Sequence, residues 1–154
     1  MTNKKNRIIN DIRQVSDIDK MRAAVLTYQD KYGMLPGDEN DPNTPPADTY
    51  NASGGNANNG RFDEPNGREL EDLRLAGLLP GTGITLINHS FGGTMNVDWR
   101  NVSGNNNYIY LTNMPAEVCL EIDSKYDDGV RTTGEIRGSA NYNPGTTLNL
   151  GWTL

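Results

Sequence analysis

"RIINDIRQVSDIDKMRAAVLTYQDKYGMLPGD", residues 7–38, decides the fold. Ile8, Ile12, Val15, Ile18, Met21, Val25, Tyr28 and Tyr32 follow one another in steps of three or four, which aligns them along one stripe of an α-helix. Seven steps cover 24 residues, close to the 3.5-residue mean that suits a seam packed against a long partner element. Asp11, Arg13, Asp17, Asp19, Lys20 and Arg22 occupy the other faces. Gly33 offers a left-handed end and Pro36 forbids continuation, so the spacing predicts a helix over residues 6–33. At 1.5 Å per residue such a helix is about 40 Å long, more than the core of a domain this size requires.

Composition sets the frame around that helix. The 154 residues fit one domain, 1–154, able to bury a core without staples. Gly and Asn together make up nearly a quarter of the chain and only 34% of it is hydrophobic, which predicts many turns and an exposed, extracellular type of surface. A net charge of −6, with no cluster of Lys or Arg, repels phosphate and argues against nucleic acid as a partner. The single cysteine, Cys119, lies on an apolar stretch and reads as a buried free thiol. No apolar run approaches the roughly 20 residues of a membrane span.

Residues 34–82 read as a long loop with one short helix. The loop holds Pro36, Pro42, Pro45, Pro46, Pro65 and the string "NASGGNANNG" (51–60), and its "GDENDPN" (37–43) reads as a solvated acidic stretch. Asn66 and Glu69 match a helix start, with Leu70, Leu73, Ala76 and Gly77 inward and a stop at Pro80-Gly81. From residue 83 the period changes to two. Ile84/Leu86, Met95/Val97/Trp99 and Ile109/Leu111 predict a three-stranded antiparallel meander. "MPAEVCLEIDSKY" (114–126) reads as a helix entered through Pro115 with Val118, Cys119, Ile122 and Tyr126 inward, and "LNLGWTL" (148–154) as a last strand after a Gly-rich tail. The fold class is α+β: a long N-terminal helix packed on a small antiparallel sheet, with a long loop between.

Three stretches in order, "YQDKYGMLPGD" (28–38), "ELEDLRLAGLLPG" (69–81) and "CLEIDSKYDDG" (119–129) ahead of Gly134, resemble the type IV pilin superfamily, and most closely its pseudopilins and pilin-like minor subunits. The resemblance covers nearly the whole chain. It implies a pilin-like roll and a filament subunit of a type IV pilus or type II secretion pseudopilus, polymerising through its N-terminal helix. It also implies other pilin or pseudopilin subunits as partners. For the full-length protein it implies an inner-membrane assembly machinery, a prepilin peptidase and a membrane anchor, with this domain in the periplasm or in an extracellular filament. The leader, the cleavage site and the apolar half-helix of that pattern do not occur in these residues. The expectation is therefore a soluble truncated form with Met1-Thr2 as an added start, a genuinely soluble homologue being the alternative.

Candidate site residues fall into two groups. Ile8, Ile9, Ile12 and Val15 continue the apolar stripe beyond a small sheet and are the expected assembly interface. Asp123, Asp127 and Asp128, beside Gly129, offer carboxylate oxygens on a bendable loop and are candidate ligands for Ca²⁺, as in the C-terminal loop of some major pseudopilins, although that ligand pattern does not transfer residue by residue. The competing reading is a turn in which these side chains bond nearby backbone N–H groups. A calcium-assisted extracellular binding or adhesion module is the alternative function. His89, the only histidine, has no partner at a catalytic spacing, a Cys119–His89 dyad is possible only on paper, and no phosphate loop or metalloprotease pair occurs, so an enzyme is not expected.

Overall fold

The computed structural model describes residues 4–41, 43–48, 57–64 and 67–154, with the side chains of 5–10 and 12 outside that description. Helix α1 runs Lys4–Tyr32 and α2 Arg68–Leu75; strands β1 (Ile87–Asn88), β2 (Thr94–Asn101) and β3 (Asn105–Pro115) follow, then α3 (Ala116–Tyr126), β4 (Ile136–Gly138) and β5 (Thr147–Thr153). The five strands form one antiparallel sheet in the order β1-β2-β3-β5-β4. The molecule is thus α+β, as expected.

Helix α1 buries Ile18, Met21, Ala24, Val25 and Tyr28, and Val15 and Tyr32 lie half-buried against the same core. It ends where the sequence says it must: Gly33 takes φ 78° and its N–H reaches the Gln29 carbonyl at 2.8 Å. The facing side of the sheet follows from register. Met95 lies opposite Leu111, Val97 opposite Ile109, Ile109 opposite Trp152, Leu111 opposite Leu150 and Ile136 opposite Trp152, so one face is apolar throughout. Tyr108 and Tyr110 point the other way and form a smaller cluster with Val102. Pro115 closes β3 and opens α3, which sends Val118, Cys119 and Ile122 into the main core.

Several expectations are corrected. Ile84 and Leu86 are exposed and unpaired; β1 has two residues because its partner β2 begins only at Thr94, after the tight turn from His89 to Gly93. The Gly-rich tail contains an edge strand, β4, whose single apolar residue Ile136 was too weak a signal. Tyr126 is exposed rather than inward and lays its ring against Trp152, centroids 5.8 Å apart. Helix α2 is preceded by Gly67 at φ 75° with no side-chain cap, and Asn66 lies outside the described residues.

The loop after α1 is built into the molecule. Leu35 and Phe62 enter the core. Asp38, fully inside, accepts the N–H groups of Asn59 (2.8 Å) and Gly60 (2.9 Å) on its two carboxylate oxygens, tying the loop's two described halves together. The "GDENDPN" stretch is therefore not a solvated loop at Asp38 and Glu39, both of which are buried.

Candidate metal centre

The structure brings Asp123, Asp127 and Asp128 together: one carboxylate oxygen from each lies within 4.8 Å of the others. Asp123 stands in the last turn of α3, where the chain leaves the helix through an Asp127 N–H bond to the Asp123 carbonyl, and this brings the next two carboxylates round. Every one of the three already accepts a protein donor. Asp123 takes the Tyr142 hydroxyl at 2.6 Å and the Gly129 N–H at 2.9 Å; Asp127 takes the Ile136 N–H at 2.8 Å; Asp128 takes the Val130 N–H at 2.8 Å and the Thr133 hydroxyl at 2.6 Å. Burial raises the pKa of Asp123, while the Thr133 and Val130 donors lower that of Asp128. Loop closure in the manner of an Asx turn accounts for these bonds, and the same oxygens are those a cation would use.

A second group was not foreseen. Glu39, Asp48 and Asp72 also place carboxylate oxygens within 4.8 Å of one another, and all three residues are buried. Asp72 comes from the inward face of α2, between Leu70 and Leu73, and the other two come from the loop after α1. Its Oδ2 accepts the Gly37 N–H at 2.6 Å and the Tyr28 hydroxyl at 3.4 Å. Neither Oε1 nor Oε2 of Glu39 receives a donor. Burial, with the neighbouring Asp72 and Asp48 charges, pushes Glu39 up to about 8. Burial pushes Asp72 up to about 7, against the pull of the Gly37 N–H. The signal available in the sequence was a carboxylate at position 72 set among the inward leucines of α2.

Of the expected assembly residues, Val15 is half-buried against the core, and the side chains of Ile8, Ile9 and Ile12 lie outside the described residues. Cys119 is a buried free thiol, pushed up to about 12 chiefly by burial. His89 donates from Nε2 to the Thr112 carbonyl (2.6 Å) and accepts the Phe91 N–H on Nδ1 (3.2 Å), a neutral tautomer that does not bond Cys119. Among the described residues no helix is long and apolar enough to cross a membrane. No family model, no curated protein and no solved structure matches the chain.

Proposed function

We propose that this protein is a structural subunit of a helix-packed filament, of the type IV pilus or type II secretion pseudopilus kind, with a pilin-like roll. The observation that carries the reading is the long N-terminal helix α1, which packs Ile18, Met21, Val25 and Tyr28 into the core beside a single antiparallel sheet. The described side chains that α1 packs on the core of its own domain run from Gln14, fully buried against Met95, and Val15 through to Tyr32. The apolar spacing continues upstream through Ile12, Ile9 and Ile8, where a neighbouring subunit's helix would be the natural cover. In this reading the partners are other pilin-type subunits, the site of action is the periplasm or an extracellular filament, and the role is structural rather than catalytic.

Cysteine cross-linking in the cells that make the protein tests it. Ile9→Cys and Ile12→Cys should each give adducts between subunits under oxidation, whereas Val25→Cys, buried in the domain, should give none. Cys119 is buried and does not compete. Monomer alone from both upstream positions would defeat the assembly reading.

A further inference from the structure

We propose that Glu39, Asp48 and Asp72 form a calcium site that fastens the loop after α1 onto α2. The first observation is geometric. The three oxygens lie within 4.8 Å of one another, so a common centre exists no more than about 2.8 Å from any of them, close to the roughly 2.3–2.6 Å length of a Ca²⁺–O bond. Mg²⁺ binds at about 2.1 Å in a strict octahedron and retains waters, which a buried and wider set of oxygens serves poorly. The group contains no His or Cys, so nothing in it selects a softer metal.

The second observation is independent of spacing. Glu39 is 0% exposed, one of its carboxylate oxygens lies in this group, and neither oxygen receives a donor. No Lys or Arg pairs with Glu39 or Asp72 among the described residues. An ionised carboxylate only accepts, and burying one without a cation or a donor is strongly unfavourable. A proton shared between Glu39 and Asp48 neutralises one charge and serves one Glu39 oxygen; a divalent ion serves both oxygens and the neighbouring carboxylates together. The Asp123 group has no member like Glu39, because each of its carboxylates accepts a protein donor.

The site would also do structural work. The described residues of the loop over 34–48 form no helix or strand, yet several of them are buried. An ion between Glu39, Asp48 and Asp72 holds that loop to the helix whose Leu70 and Leu73 complete the core.

The test uses purified protein stripped with EDTA and melted with and without calcium or magnesium chloride. Calcium a hundredfold above its Kd should raise Tm by about 5–10 °C, with one equivalent bound by equilibrium dialysis and little response to magnesium. Asp72→Asn and Glu39→Gln should abolish the rise, and Asp128→Asn should keep it. In EDTA, Glu39→Gln should be at least as stable as the parent, because it removes like-charge repulsion. Terbium provides a second readout: Tyr28 bonds Asp72, so Tyr28→Phe should remove most of the tyrosine-sensitised emission. Identical melts in EDTA and calcium, an equal magnesium effect, or a calcium effect lost in Asp128→Asn but kept in Glu39→Gln would each overturn the proposal. If both cluster variants fail to fold, terbium emission undiminished in Tyr28→Phe overturns it instead.

Discussion

Gly93 sits where the backbone leaves no room for a side chain. A Cβ there would overlap the Thr112 carbonyl and come within 2.6 Å of His89 Nε2, the pair whose hydrogen bond closes the β1–β2 turn. Neither neighbour can give way, since the carbonyl belongs to β3 and the imidazole is held on its other nitrogen by the Phe91 N–H. Gly93→Ala should therefore cost about 1–3 kcal/mol as an overpacking change, measured by urea denaturation, and a stability equal to the parent's would show that the turn yields freely. At this scale the sequence is most informative about residues whose role is local. Asp123, Asp127 and Asp128 are near neighbours along the chain, so their clustering could be read directly and the structure brings them together. Glu39, Asp48 and Asp72 meet only because the loop folds back on α2, and no window of sequence contains that contact. "GDENDPN" has the composition of a solvated loop, and only tertiary packing turns Glu39 inward.

Elements whose apolar spacing is long and regular were legible, and short ones were not. The stripe from Val15 to Tyr32 identifies α1 and its buried face, and alternation identifies β2 and β3, because each repeats its signal several times. Strands β1 and β4, two and three residues long, carry almost no pattern, and their existence depends on an adjacent strand that offers hydrogen bonds. The position of β5 between β3 and β4 likewise comes from pairing, not from its own sequence. Helix α1 itself makes a prediction about division of labour. Val25 is fully buried, so Val25→Ala should lower domain stability by about 2 kcal/mol, two methyl groups plus the cavity they leave. In the filament reading Ile12 serves a neighbouring subunit, so Ile12→Asp should leave the thermal melt of the domain within about 0.5 kcal/mol of the parent while blocking filament formation in cells. If Ile12→Asp unfolds the domain or leaves filaments intact, the helix is not divided into an assembly part and a core part.

A few buried carboxylates hold protons in the fold, and they shape how the whole molecule responds to pH. Glu69, 1% exposed at the start of α2, is pushed up to about 8, first by burial and then by the Asp98 charge, against the downward pull of its own backbone N–H. Glu39 and Asp72 are raised in the same direction, to about 8 and about 7. In each case the folded pKa lies above the unfolded value near 4, so the native state holds protons that the unfolded chain releases. Stability is then greatest below the unfolded pKa and falls as pH rises toward 8. His89, lowered by burial, works in the opposite sense, but it is one group against the three raised carboxylates. In EDTA the domain should thus melt higher at pH 5 than at pH 8. Glu69→Gln should raise Tm at pH 8 by an amount on the order of a few kcal/mol in stability and change it little at pH 5. Calcium should restore only the part that belongs to Glu39 and Asp72, since an ion there competes with their protons and does not reach Glu69's share of the loss. A domain in EDTA whose Tm is flat or rising from pH 5 to pH 8 would mean that these carboxylates ionise in the fold at no cost. A Glu69→Gln variant that melts like its parent at pH 8 would remove Glu69 from the account.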